Sequence, residues 1–327
     1  MSNASFSPWR NILRWVDSHA GSDEAMTSTR FNWVRVVPFM FLHLACLVAF
    51  LLPVSTTAIV VCLALYWLRL FAITAFYHRY FSHRAYKTSR GWQFVFALLG
   101  NMSAQRGPLW WAAHHRAHHH HSDTEDDLHS PVQRGFWWSH VGWFTCDASF
   151  KTQWHRIKDF ARYPELVWLD RYDSFAPFLL VVLLFITGEI LAAWAPGLNT
   201  SGLQLVVWGF FISTVLLFHS TVTINSLGHI WGKRRFNTKD QSRNNGFLAL
   251  LTLGEGWHNN HHRWAVSARQ GFYWWEVDIT YYVLKVMSWL GIVYDLNPVP
   301  AKVLAEGRGQ APTTSVVPPN KTEDGAL

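Results

Sequence analysis

The chain has 327 residues, half of them hydrophobic, with 20 Trp, 23 Phe, 10 Tyr and a formal net charge of +7. That length allows one large domain or two modest ones, and the aromatic load suits a protein at a bilayer interface, where amphipathic rings gather. The three cysteines, Cys46, Cys62 and Cys146, form no zinc-type or redox pair and exclude a disulfide framework. The first 30 residues are polar and mixed and lack the apolar core of a cleavable signal. They open a polar N-terminal segment, 1–35. The stretch from Val37 to Tyr77 is about twice the roughly 20 apolar residues a spanning helix needs, and Pro53, Ser55 and Thr56 mark a turn near its middle. Two spanning helices are expected, 37–53 and 57–77. The stretch between Trp92 and Trp111 is broken by Asn101, Arg106, Gly107 and Pro108, and reads as an interfacial or re-entrant helix. A second pair, 175–195 and 203–226, flanks the turn-rich linker from Pro196 to Gly202. Residues 302–327 have the composition of a disordered tail. Strand patterns are scarce, so the expected fold is all-α: four transmembrane helices in two hairpins, with a helical cap built from 78–174 and 227–301.

The cationic side chains orient this arrangement. Of 28 Lys and Arg, four precede the first helix, twelve lie between the second and third and eleven follow the fourth, while Arg69 lies inside the second. Neither hairpin turn carries any. Cytoplasmic segments are enriched in Lys and Arg, so both termini and the cap are expected on the cytoplasmic side of a multi-pass membrane protein. The positive charge then belongs to a membrane face and not to a nucleic-acid surface.

Histidine is the informative residue, with 18 copies. His78 and His83 form H-x4-H after the second helix. His115, His118 and His119 form H-x2-H-H, and His258, His261 and His262 repeat that spacing far away in sequence. Positions i, i+3 and i+4 of a helix share one face, so each trio aims three imidazoles at one spot. His229 follows Asn225 by four residues just past the fourth helix. Imidazole is the common nitrogen ligand of iron, zinc and copper. These nine rings exceed the roughly four to six ligands of one ion and suit two ions sharing a site. His114 could pair with His118 on one face, but the 115–118–119 register reproduces the spacing at 258. His120, His121, His129 and His140 then read as outer or surface residues, and His19, His43, His155 and His219 as ordinary satisfied side chains. Metal-bound His usually donates its second N–H to a carboxylate, for which Glu255 and Asp123 are the candidates.

Several segments resemble one family. His78-Arg79-Tyr80-Phe81-Ser82-His83, His115-Arg116-Ala117-His118-His119 and His258-Asn259-Asn260-His261-His262 are similar to the three histidine boxes of membrane acyl-CoA desaturases of the stearoyl-CoA, delta-9 type. Arg134-Gly135-Phe136, Ser139-His140-Val141-Gly142-Trp143, Asn225-Ser226-Leu227-Gly228-His229, Gln241-Ser242-Arg243-Asn244 and Gly254-Glu255-Gly256-Trp257 extend the likeness over residues 60 to 295. The resemblance implies a desaturase domain over 36–301, nine His ligands to two irons, Asn225 reaching one metal through water, and a bent acyl tunnel lined by Gln105, Trp111 and Thr221. Arg263-Trp264-Ala265 departs from the animal enzymes, and Trp274-Trp275-Glu276-Val277-Asp278 looks more like bacterial members, which implies a bacterial inner membrane.

The implied reaction removes two hydrogens from a saturated acyl chain and leaves a cis double bond, with O2 as co-substrate reduced to water. The acyl group is expected on coenzyme A, with a carrier protein or lipid as the other carriers. Electrons are expected from a separate ferredoxin-, rubredoxin- or cytochrome-type donor with an NAD(P)H reductase. A histidine-box hydroxylase or alkane monooxygenase would share the metal site, and a membrane metal transporter is the competing reading from another class. The cytoplasmic half of the second helix is expected to flank the tunnel, with one of its small residues Ala72, Thr74 and Ala75 facing the closed end.

Overall fold

The computed structural model describes residues 12–20 and 28–309, and the four long apolar segments are helical in it. Helix α1 runs from Trp33 to Ala45 and continues as a 3-10 turn to Leu51. Asn32 caps it, its side chain accepting from the Val34 N–H at 3.0 Å. Pro38 inside the helix has no N–H, which frees the Val34 carbonyl. The Trp15 indole N–H takes that oxygen at 2.6 Å, tying the 12–20 segment to the start of α1.

Helix α2 spans Thr56 to Ser82, α-helical to Phe71 and π-helical over Ala72–Ser82. Helices α3 (Arg90–Asn101) and α4 (Pro108–His121) replace the single re-entrant helix expected there. They are separated by a link in which Ala104 and Arg106 both have positive φ, 56° and 71°. After several short turns come α5 (Pro164–Arg171), α6 (Phe175–Trp194) and α7, which spans Gly202–Ile230 with a π segment over Val207–Ile212. Four more follow: α8 (Gly246–Leu251), α9 (His258–Arg263), α10 (Ile279–Trp289) and α11 (Ala301–Glu306). The only sheet among the described residues is a two-residue antiparallel pair, β1 (Lys87–Thr88) with β2 (Val293–Tyr294).

Four helices are long and apolar enough to cross a membrane: 33–51, 56–82, 175–194 and 202–230. The first therefore starts four residues before the expected Val37, inside the stretch expected to be a separate N-terminal segment. The second and fourth run five and four residues past their expected ends, so His78 and His229 lie within helices and not beyond them. Hydropathy misplaces these ends because His78, Arg79 and Ser82 are polar yet buried by protein, where apolarity no longer tracks the helix. The tail also begins later than residue 302, since Val303 of α11 is buried against Phe236, Phe272 and Tyr273. The rest of the expected tail, 310–327, lies outside the described residues.

The ends of α2 and α7 frame the site. At their N-termini Ser55 caps α2, donates to Gln204 at 2.9 Å, and Thr57 donates to the Leu198 carbonyl at 3.2 Å. The two interhelical links therefore meet at one end, and the histidines gather at the other. Between them Arg69, fully buried in α2, donates to Thr214 at 2.7 Å, to the Met102 carbonyl at 3.1 Å and to Ser213. Those bonds satisfy a cation that burial would otherwise penalise heavily. The main core packs α2 against α3, α4 and α5, with Phe76 stacked on Phe96 at 3.9 Å.

Candidate metal centre

Helix α4 supplies the second box, and its start is held from a distance. Pro108 occupies its first turn, and the Asp170 carboxylate accepts from the Leu109 and Trp110 N–H groups at 3.0 and 2.7 Å and from Thr152 at 2.7 Å. An anion at this position satisfies donors that a helix leaves orphaned. Along α4 the ladder then turns His115, His118 and His119 inward. His114 faces elsewhere, toward the Lys151 carbonyl at 3.2 Å and the Trp110 ring.

The nine rings fall into two groups. His78, His83, His115, His119 and His261 make one, and His118, His229, His258 and His262 the other; within each, the ligand nitrogens all lie within 4.8 Å of one another. Nε2 atoms face Nε2 atoms: His83 to His115 at 2.8 Å, His119 to His261 at 2.8 Å, His78 to His261 at 3.0 Å and His229 to His258 at 3.1 Å. The π-helical turn carries His78 into this centre, and near its end the Ser82 hydroxyl donates to the Tyr77 carbonyl at 2.9 Å.

The outer nitrogens are held by carboxylates. His229 Nδ1 meets Asp123 at 2.8 Å and His78 Nδ1 contacts Glu255, the two acids expected from sequence. Two more were missed: His118 Nδ1 meets Asp127 at 2.9 Å, and His262 Nδ1 meets Asp240 at 2.7 Å. Asp127 belonged to the acidic run after the second box, but Asp240 carries no local signal, lying 22 residues from its partner. Gln270 was missed as well and reaches the Nδ1 atoms of His78 and His261 at 3.3 and 3.4 Å. A carboxylate on Nδ1 fixes the tautomer and turns the Nε2 lone pair inward.

These residues fit metal ions. The Nε2 of His262 is buried and has no hydrogen-bond partner, a cost that coordination would remove. Burial, followed by the neighbouring imidazoles, holds His83, His115, His119, His258 and His261 well below the usual imidazole range. The rings are thus kept neutral, the form that binds metal. Carboxylates bring negative charge to the same place: Glu255, Asp123, Asp127 and Asp240 each meet a ring of the two groups, and Arg79 bonds Glu255 and Asp278.

A cavity opens beside the centre. Gln105, Trp111, Thr221 and Asn225 all line it, as do His115 and His129. Gln105 donates to Thr221 at 3.1 Å, and Trp111 stacks on His115 with ring centres 5.1 Å apart. Asn225 stands one helical turn before His229 on α7. The apolar arm of the cavity runs between α1 and α7 past Phe39, Leu42, Phe144, Val215 and Phe218. Ala72, Thr74 and Ala75 do not line it. The two alanines are sealed in the core and Thr74 bonds Thr280 at 2.8 Å, so the side of α2 expected to flank the tunnel is packed instead. Among the remaining histidines, His129 stacks on His118 at 4.3 Å and His121 meets Arg156 at 3.2 Å. His43, His219 and His140 form a separate hydrogen-bonded chain, with 3.1 Å at each step.

Comparison with known proteins gives this geometry a family. The fatty acid desaturase family matches residues 54–289. The chain belongs to the fatty acid desaturase family. It is 37% identical over 274 residues to an sn-1 stearoyl-lipid 9-desaturase of Anabaena variabilis, covering 83% of this chain and 96% of that one. It is 36% identical to an acyl-CoA C20 delta5-desaturase of Anemone leveillei (84% and 87% covered) and 32% identical to an sn-2 palmitoyl-lipid 9-desaturase of Nostoc (87% and 96% covered). The desaturase is accordingly an oxidoreductase, and its two histidine groups could hold metal ions.

Proposed function

We propose that this desaturase is a membrane-embedded di-iron enzyme that forms a cis double bond at carbon 9 of a saturated acyl chain. The observation carrying this reading is the five-plus-four grouping of buried and half-buried imidazoles beside a mainly apolar cavity. His78, His83, His115, His119 and His261 would hold one iron, and His118, His229, His258 and His262 the other, with Asn225 reaching the second through water. Bound iron would supply the oxidising power that breaks unactivated C–H bonds, with O2 reduced to two waters by the two hydrogens removed from the acyl chain together with two electrons from a separate donor and two protons.

The chain's own residues do the positioning. Asp123, Asp127, Asp240 and Glu255 keep the Nδ1 protons outward. Trp111, stacked on His115, forms the wall between the imidazoles and the acyl chain. The Gln105–Thr221 bond closes the cavity beside it. Phe39, Leu42, Val215 and Phe218 hold the far methylenes and exclude water, so that one methylene pair lies next to the centre. The 9-position and the choice of a lipid or coenzyme A ester as acyl carrier are supported by the names of the relatives. The Lys and Arg distribution supports two hairpins with the termini and a 78–174 plus 227–301 cap on the cytoplasmic side.

The test is expression of the full chain in a host lacking unsaturated fatty acids, with its lipids hydrolysed and analysed. Cis-9 monounsaturated chains are expected; hydroxylated products, or unsaturation at another carbon, would contradict the proposal.

A further inference from the structure

The geometry points to a further cation site, separate from the nine-ring centre: His43 of α1 and His219 of α7, backed by His140, form a binding place for a monovalent copper ion.

Each ring is turned by what its outer nitrogen meets. His43 follows Phe39 by one turn of α1, and its Nδ1–H donates to the Phe39 carbonyl at 2.8 Å, an oxygen that can only accept. Its Nε2 faces His219 Nε2, 3.1 Å away on α7. His219 Nδ1 faces His140 Nε2 at 3.1 Å, on the π-helical turn Trp138–Gly142. The chain ends where His140 Nδ1 meets the Ser226 hydroxyl at 3.0 Å, which lies 2.9 Å from the Val222 carbonyl. The His43–His219 spacing is that of the paired Nε2 atoms in the metal centre, 2.8 to 3.1 Å.

These five contacts need five protons, and three neutral imidazoles with one hydroxyl bring four. One contact is therefore bare. A cation between the two Nε2 atoms resolves this. His43 keeps its proton on Nδ1, His219 donates from Nδ1 to His140, His140 donates to Ser226, and Ser226 donates to Val222. Burial, then His219, pushes His140 down to about 4, which keeps its ring neutral at ordinary pH.

Charge decides which cation. Four carboxylates meet the rings of the metal centre, whereas among the described residues none bonds His43, His140 or His219. The neighbours here are aromatic. Phe39 lies 4.3 Å from His43 and 5.2 Å from Phe218, ring to ring, and Phe136 stacks on His140. The cost of burying an ion in such surroundings grows with the square of its charge, so a divalent ion without a carboxylate is disfavoured. Cu+ carries one charge, accepts imidazole nitrogen and takes fewer ligands than zinc or iron. His43 lines the cavity, which gives the ion a way in. Bound there, it would pin together α1 and α7, the two walls of the apolar arm.

The test is an anaerobic Cu+ titration of the full-length protein in detergent, in competition with a chromogenic Cu+ chelator. The His43→Gln/His219→Gln double variant is titrated beside it. The difference between the two proteins is read, so the result does not depend on what fills the nine-ring centre. One more Cu+ per chain is expected in the unaltered protein, and Zn2+ should show no such difference. His140→Leu, which takes the acceptor from His219 Nδ1, should keep the ion but hold it about 10–100-fold more weakly. Equal copper binding by the unaltered protein and the double variant overturns the inference. So does a Zn2+ difference as large as the Cu+ difference, because charge would then not select. If the double variant does not fold, diethyl pyrocarbonate labelling of the unaltered protein, read by mass spectrometry, replaces it. Cu+ should protect both His43 and His219, and protection of fewer than both overturns the inference.

Discussion

Asp240 gives the sharpest test of how the second histidine group is held. Its Oδ2 meets His262 Nδ1 at 2.7 Å, while its Oδ1 accepts from Thr238 and from the Ser242 N–H, both at 3.0 Å. In Asp240→Asn the amide oxygen can replace Oδ1, which leaves the NH2 facing His262. Two donors cannot share that contact, so the ring must move its proton to Nε2, and an Nε2–H cannot bind metal. Loss of such an outer partner typically costs 10–100-fold in metal affinity, or about 1.4–2.7 kcal/mol. Only the group of His118, His229, His258 and His262 should be affected, because the other five rings do not touch Asp240. The assay is iron content per chain during titration with a chelator. Two ions of similar retention are expected in the unaltered protein, and one retained plus one released at 10–100-fold lower chelator in the variant. If the variant holds both ions as the parent does, the carboxylate does not set the tautomer and the reasoning fails.

Other outcomes follow from the same geometry. His115→Ala, His119→Ala or His261→Ala should abolish turnover while membrane insertion, assayed by fractionation, is retained; His120→Ala, in the exposed part of α4, should keep activity. Asp170→Ala leaves the Leu109 and Trp110 N–H groups and Thr152 without their acceptor and should destabilise the fold by about 3 kcal/mol, read as a lowered midpoint of thermal unfolding in detergent. Leu42→Trp or Val215→Phe should shorten the apolar arm and shift products toward shorter chains, measured on a mixture of saturated acyl substrates. Ala72→Phe and Ala75→Phe should instead lower protein yield without changing product length, because both sites are sealed in the core and overpacking there costs roughly 1–3 kcal/mol.

What the sequence determined by itself is what is local or bulk. Spanning helices follow from 19 to 29 residues of apolar composition, and each histidine trio follows from helical spacing, so both were legible without a fold. Glu255 and Asp123 were legible because they stand beside a box in sequence. The tertiary structure decided everything that depends on burial by distant segments. It chose 115–118–119 over 114–118 by turning one face of α4 toward α2 and α9, a choice the periodicity alone leaves open. It extended α2 through His78 as a π-helix, because protein and not lipid surrounds those polar residues. It supplied Asp240 and Asp170, whose partners lie 22 and about 60 residues away. It also placed the cavity between α1 and α7, away from the small residues of α2. Side chains aimed by helical geometry can be read from spacing, but the space left between packed helices is a property of all of them together.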